Sequence, residues 1–217
     1  MLTRSDETIV DCLATWDAVE GVGLRHAGFK DVGVDLATLV ELNKRMHAAG
    51  VTTYLEVVST SAEECLRSSR AAVEIGVDRL MGGTQVDETL RIIEGSGIDY
   101  LPFPGLPVGH PTRLGGDAEL IERHCKDFDS RGCAGVDLLA YRSTDAAPLD
   151  LVGAARRGTA GYLVVAGSVS TRAQIADLRA AGADAFTIGS AVFDGSFSPN
   201  KGHIVSQLRD VLDATHG

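Results

Sequence analysis

Two Gly-Ser pairs near the end of the chain are the first residues whose types and spacing suggest chemistry. Gly167 and Ser168 follow Tyr-Leu-Val-Val-Ala (162–166), and Gly189 and Ser190 follow Ala-Phe-Thr-Ile (185–188). A glycine at the end of an apolar strand lets the backbone approach a ligand closely. The serine hydroxyl and the next amide hydrogens can then donate to an anion. Residues 190–193 could open a short helix, whose N-terminus favours negative charge. One amphipathic helix, residues 171–181, separates the two pairs. If the two strands are parallel neighbours, their ends make one phosphate cradle. An eight-stranded α/β barrel carries that site in the loops after strands 7 and 8.

A second group of candidates follows from strand parity, because alternate side chains of a barrel strand enter the barrel. In the strand expected at 24–30, Ala27 and Phe29 suit the helix side, so Gly28 and Lys30 face inward. Lys30 closes an apolar strand, whereas the other lysines (Lys44, Lys126, Lys201) sit in polar helix or loop contexts. A lysine at a barrel mouth can act as a Schiff-base amine, a general acid/base or a fixed cation beside an enolate. It could also be a buried ion pair that only sets register. In the strand expected at 52–58, Leu55 and Val57 suit the helix side, leaving Tyr54, Glu56 and Val58 inward. A Lys30–Glu56 pair on adjacent strands could exchange a proton with substrate. In the strand expected at 136–141, the inward residues are Asp137, Leu139 and Tyr141. Asp137 is placed nearer the barrel floor in a structural role, and Arg142 at the top as a phosphate or carboxylate clamp.

Further candidates are less specific. Asp31, directly after Lys30, is either an acid/base or a turn cap. Arg4 is either a rim cation or a solvated end. His110 lies in a long loop (104–116) of the kind that often forms a lid, and is the one histidine considered catalytic. No cluster of His, Asp or Glu has metal-ligand spacing, so no protein-built metal site and no cofactor are expected. The Gly-Val-Gly at 21–23 precedes a strand instead of joining strand to helix. It is therefore a helix exit and not a dinucleotide loop.

The elements that must position these residues recur as helix, glycine-containing turn and strand. The turns include Ala-Ala-Gly-Val (48–51), Glu-Ile-Gly-Val-Asp (74–78) and Ala-Ala-Gly-Ala-Asp (180–184). Glycine suits the left-handed residue that ends a helix. Strands are expected at 1–4, 24–30, 52–58, 78–81, 100–103, 136–141, 162–166 and 185–188. Helices are expected at 6–19, 35–49, 61–74, 87–94, 118–130, 149–157, 171–181 and 204–215. Ser61 to Glu64 reads as a capping box. Strands alternating with helices imply right-handed crossovers and a parallel sheet. The expectation is a single (β/α)8 TIM barrel domain over 1–217, with an open doubly wound sheet as the fold alternative.

Composition narrows the partners. The net charge of −10 argues against nucleic acid. No apolar run reaches the ~18 residues of a membrane span, and the N-terminus lacks the regions of a signal peptide, so a cytoplasmic location follows by default. Cys12, Cys65, Cys125 and Cys133 show no Cys-x-x-Cys spacing and read as buried free thiols. Barrels of this size often pair, but no homo-oligomer interface can be picked out.

The Val-Ala-Gly-Ser (165–168) and Thr-Ile-Gly-Ser-Ala (187–191) pair resembles the ribulose-phosphate-binding barrels. That superfamily includes histidine- and tryptophan-pathway isomerases and synthases, pentulose-phosphate epimerases and keto-gulonate-phosphate decarboxylases. The resemblance implies that Gly167, Ser168, Gly189 and Ser190 hold a phosphate. The chain departs from the decarboxylase pattern, since Phe-Lys-Asp (29–31) only partly echoes Asp-x-Lys-x-x-Asp. It also lacks the epimerases' paired histidines. The blocks Gly-Phe-Lys-Asp (28–31), Leu-Glu-Val-Val-Ser (55–59), Phe-Pro-Gly (103–105) and Leu-Leu-Ala-Tyr-Arg (138–142) look like a bacterial barrel group. Its members are often labelled 4-hydroxythreonine-4-phosphate dehydrogenase. The enzymes properly so named use a divalent metal held by histidines, which this sequence does not offer.

These readings converge on an enzyme acting on a small phosphorylated sugar or hydroxy acid. The class would be isomerase/epimerase or aldolase/decarboxylase-type lyase, with Lys30 and Glu56 moving protons or activating a carbonyl. The alternatives are a non-catalytic phospho-ligand-binding barrel and an NAD(P)-dependent oxidoreductase.

Overall fold

A computed structural model describes residues 1–109 and 111–216. In chain order it contains β1 (Thr3–Arg4), β2 (Glu7–Thr8), α1 (Cys12–Val19), β3 (His26–Lys30), α2 (Leu36–Ala48), β4 (Thr52–Val57), α3 (Ala62–Ile75) and β5 (Arg79–Gly82). There follow α4 (Val86–Ile93), β6 (Asp99–Leu101), β7 (Leu106–Val108), β8 (Arg113–Gly115), α5 (Ala118–Ser130) and β9 (Gly135–Leu138). The chain ends with α6 (Pro148–Gly158), β10 (Tyr162–Val165), α7 (Arg172–Ala180), β11 (Ala185–Phe186), α8 (Ser190–Phe193) and α9 (Ile204–His216).

The fold is an α/β barrel with its strands parallel and its helices outside. Two hydrogen-bonded arcs make the wall, β3-β4-β5-β6 and β9-β10-β11. Single backbone bonds bridge them where no continuous ladder forms. On one side Ala134 N donates to Tyr100 O (3.0 Å) and Asp137 N to Pro102 O (3.1 Å). On the other side Leu2 N donates to Gly28 O (2.7 Å), and the Met1 amino group donates to Ile188 O (2.9 Å).

Helix starts follow capping chemistry. Asp35, Ser61, Asp117 and Thr171 each accept a backbone N–H from the first turn. Thr171 and Gln174 form a full reciprocal box. Burial divides the strand residues as parity requires. Ala27, Phe29, Leu55, Val57, Val136 and Leu138 join the core between strands and helices. Tyr54, Met81, Leu101 and Val164 form a separate apolar plug inside the ring.

Three expectations are corrected. Residues 1–4 do not form a regular barrel strand. Met1 and Leu2 hydrogen-bond to the wall, and β1 then turns back antiparallel on β2, with Thr3 opposite Thr8. The first helix consequently begins at Cys12 and not near residue 6. The loop 104–116 is not irregular, because β7 and β8 pair as an antiparallel hairpin within it.

Candidate active site

Lys30 is fixed at the end of β3 by the small hairpin that replaces the first strand. The Thr8 hydroxyl donates to Lys30 O (2.8 Å) and accepts from Lys30 N (2.8 Å). The side chain points into the ring and is 3% exposed. Its Nζ donates to Asp6 Oδ1 at 2.8 Å and lies 3.5 Å from Glu56 Oε2. Glu56 is the register partner of Lys30 on β4 and is also buried. The geometry thus brings together the ammonium and the carboxylate expected from parity.

Asp6 completes this cluster and was not singled out from the sequence. It sits in the β1–β2 turn, where Ser5 (φ 53°) and Asp6 (φ 63°) both adopt left-handed conformations. Such residues cost on the order of 1–2 kcal/mol each without glycine, and strain of this kind collects at functional sites. Its carboxylate takes both arms of Arg142, with Nη1 2.8 Å from Oδ2 and Nη2 2.9 Å from Oδ1. Burial alone would raise the pKa of Asp6. The Arg142 hydrogen bonds and the Lys30 charge outweigh it and hold the carboxyl well below the usual carboxylate range.

Arg142 reaches the site from the single 3-10 turn that follows β9. Its Nη1 also donates to Thr112 O (3.3 Å), which ties it to the β7–β8 hairpin. Its side chain lies directly on Gly167, where a Cβ would collide with Arg142 Nε. Gly167 also has φ 78°, so this position needs glycine on two counts. The next residue, Ser168, holds φ 61° without being glycine. At Gly189 a Cβ would stand 2.9 Å from Thr3 O, so the N-terminal hairpin packs closely on that loop.

The two Gly-Ser loops are neighbours, because β10 and β11 pair in parallel with Val165 opposite Phe186. Among the described residues, the Gly167, Ser168 and Gly189 amides donate to no main-chain carbonyl. One cavity of about 310 Å³ is lined by both loops and by Asp6, Lys30, Glu56 and Arg142. Asp194 also lines it, so its carboxylates outnumber its two basic side chains. An anion held here would rest on the amides and Arg142. A larger cavity, about 660 Å³, lies lower in the wall against α7 and α9. Its lining is mainly apolar and includes none of Lys30, Glu56, Arg142 or the Gly-Ser pairs.

The other candidates fall elsewhere. Arg4 is exposed, stacks its guanidinium over Phe193 (5.6 Å to the ring centroid), and does not line the smaller cavity. Asp31 bonds the Ser68 hydroxyl of α3 and is not among the residues lining the cavity. Burial pushes its pKa up, only partly offset by that bond. His110 lies outside the described residues. Asp137, expected nearer the floor, pairs with Val164 of the inner apolar plug and is not among the residues lining the smaller cavity. It is completely buried, and neither carboxyl oxygen has a hydrogen-bond partner. Among the described residues no group of three or more His, Cys, Asp or Glu side chains is arranged for a metal ion. No helix of the described residues is long and apolar enough to cross a membrane.

No family model and no curated protein matches this sequence. Solved structures share the fold at low identity. The native KDPGal structure aligns with TM-score 0.69 at 12% identity, over 97% of this chain and 91% of that one. Orotidine 5'-phosphate decarboxylase from Pyrococcus horikoshii OT3 aligns with TM-score 0.66 at 13% identity, over 94% and 93%. A mutant tryptophan synthase α-subunit from Pyrococcus furiosus aligns with TM-score 0.60 at 17% identity, over 85% and 75%. At these identities the likeness establishes the barrel and nothing finer.

Proposed function

We propose that this chain is an enzyme acting on a small phosphorylated sugar or hydroxy acid, of the lyase (aldolase or decarboxylase) or isomerase/epimerase type. The observation that carries this reading is the shared cavity. Two Gly-Ser loops with free amides and an ion-paired Lys30–Glu56 couple line the same 310 Å³ space. Phosphate binds at Gly167, Ser168, Gly189 and Ser190, with Arg142 as the charged clamp. Both reaction classes pass through an enolate or enediolate. The Lys30 ammonium, flanked by the Asp6 and Glu56 carboxylates, is placed to bear that charge as a fixed cation. Glu56 is the group that takes up or delivers the proton. The fold shared with a decarboxylase of a 5'-phosphate supports the reading without naming the substrate.

A non-catalytic phospho-ligand-binding barrel is the second reading. It needs only the anion seat of the two Gly-Ser loops and no proton-transfer role for Lys30 and Glu56. A thermal-shift panel of phosphorylated sugars and hydroxy acids finds the ligand, since one at ~100 times its dissociation constant adds ~2.7 kcal/mol. Each hit is then incubated in deuterated water and followed by proton NMR. An enzyme exchanges the proton beside the carbonyl or forms product. A binding protein does neither.

A further inference from the structure

Thr3 carries a hydroxyl that the protein itself leaves unused. It sits on β1 and is 7% exposed. Among the described residues its Oγ1 takes part in no hydrogen bond. A buried hydroxyl without a partner is costly, and valine would fill the same space without that cost. Thr8, opposite it across the hairpin, shows the contrast, since its hydroxyl bonds both Lys30 N and Lys30 O. The Thr3 hydroxyl turns the other way. It stands 2.9 Å from the position a Cβ on Gly189 would take, and Thr3 lines the 310 Å³ cavity together with both Gly-Ser loops. The Gly189 amide beside it donates to no main-chain carbonyl. An unpartnered hydroxyl and unpartnered amides therefore meet at one opening.

The charged groups around the cavity are already engaged. Lys30 meets Asp6 and Glu56, and both arms of Arg142 meet Asp6. The Met1 amino group donates to Ile188 O, and Asp194 accepts from Ser196 N. An anion entering here therefore needs uncharged donors as well as Arg142. We propose that Thr3 is a ligand residue of the phosphate seat, its Oγ1 donating to a phosphate oxygen from the Gly189 side. The seat then has three walls: the Gly167–Ser168 loop, the Gly189–Ser190 loop and β1. The third wall matters for the chemistry, because the same hairpin carries Asp6 and Thr8, which hold Lys30. The hairpin is itself anchored by few bonds, among them Leu2 N to Gly28 O, Thr8 N to Val32 O and Ile9 N to Leu2 O. A phosphate bonded to Thr3 ties the hairpin to the Gly-Ser loops and steadies the groups around Lys30 when substrate is present. Binding of the non-reacting phosphate thus helps to position the reacting end.

This inference rests on the phosphate seat of the proposed function. Inorganic phosphate is titrated calorimetrically into the full chain and into Thr3→Val and Thr3→Ser. The first variant keeps the shape and removes the hydroxyl, and the second keeps the hydroxyl. Phosphate affinity is expected to fall at least tenfold in Thr3→Val and to stay within about threefold of wild type in Thr3→Ser. Without ligand, Thr3→Val is expected to melt no lower than wild type, since no hydrogen bond within the protein is lost. Hydrogen exchange adds a readout that packing alone would not move. Phosphate should slow exchange of the Leu2, Thr8 and Ile9 amides in wild type and leave them unchanged in Thr3→Val at the same concentration. Wild-type affinity in Thr3→Val overturns the proposal while the two-loop seat and the proposed function stand. Equal losses in both variants, or a Thr3→Val that melts well below wild type, would make Thr3 a packing residue and would also overturn it. A wild type that takes up no phosphate ends this proposal and the proposed function together.

Discussion

Asp6 places one carboxylate oxygen 2.8 Å from Lys30 Nζ and both oxygens against the Arg142 guanidinium. One residue in a strained turn therefore fixes both cations of the cavity. Asp6→Ala leaves Lys30 buried and Arg142 half-buried with their shared partner gone. Breaking a buried pair in this way costs about 3–5 kcal/mol. The expected result is a melting temperature lower by on the order of 10 °C, read by calorimetry. An unchanged melting temperature would show that the cluster contributes nothing to the fold.

The same residue sets an acid limit. The folded-state pKa of Asp6 is depressed, so its contribution is fully present above the unfolded value of about 4 and is lost as pH falls towards the lower folded value. Between pH 5 and pH 2 the wild type should lose more stability than Asp6→Asn, which has no charge to lose there. Urea midpoints at a series of pH values measure this. Parallel curves for the two proteins would contradict it.

Lys30→Ala and Glu56→Ala separate chemistry from binding. Turnover is expected to fall by roughly 10²–10⁴-fold, the range for removing a positioned proton-transfer or charge-stabilising group. Affinity for inorganic phosphate should change little, because the Gly-Ser loops are untouched. Calorimetric titration alongside a turnover assay distinguishes the two. Borohydride trapping adds a check on mechanism. If Lys30 is a fixed cation, no reduced adduct forms with the turnover substrate.

The phosphate seat makes a different prediction. Gly167→Ala puts a methyl group into Arg142 Nε and strains a backbone at φ 78°, so phosphate affinity should fall at least tenfold. Ser168→Gly relieves the strain at φ 61° and should raise stability by about 0.5–1 kcal/mol while weakening phosphate binding through loss of the hydroxyl. Stability and affinity moving in opposite directions is the signature. Both rising together would place the anion elsewhere.

The barrel, the inward residues of β3 and β4 and the Lys30–Glu56 contact could be read from apolar alternation, because burial on one face writes itself into every second residue. The strand expected at 136–141 instead ends at Leu138, and Leu139, expected inward, joins the core between strands and helices. The adjacency of the two Gly-Ser ends was readable because one helix at that spacing returns the chain to the next parallel strand. Asp6 was not readable. Its place depends on a two-residue turn with positive φ at serine and aspartate, where no glycine signals the reversal. The β7–β8 hairpin was hidden for a related reason, since its Leu-Pro-Val strand carries a proline and leaves Leu106 and Val108 exposed. Asp137 could be placed on the inward face by the same alternation. Parity gives the face, while depth depends on how neighbouring strands are staggered.

The central claim is that one cavity holds both the phosphate and the reacting carbon. A crystal structure of the protein with the strongest phosphorylated hit of the thermal-shift panel tests it directly. The phosphorus should lie between the Gly167 and Gly189 amides, with the ligand's carbonyl or carboxyl oxygen within hydrogen-bond distance of Lys30 Nζ. A ligand bound in the larger apolar cavity beside α9, or a phosphate away from both Gly-Ser loops, would contradict the account.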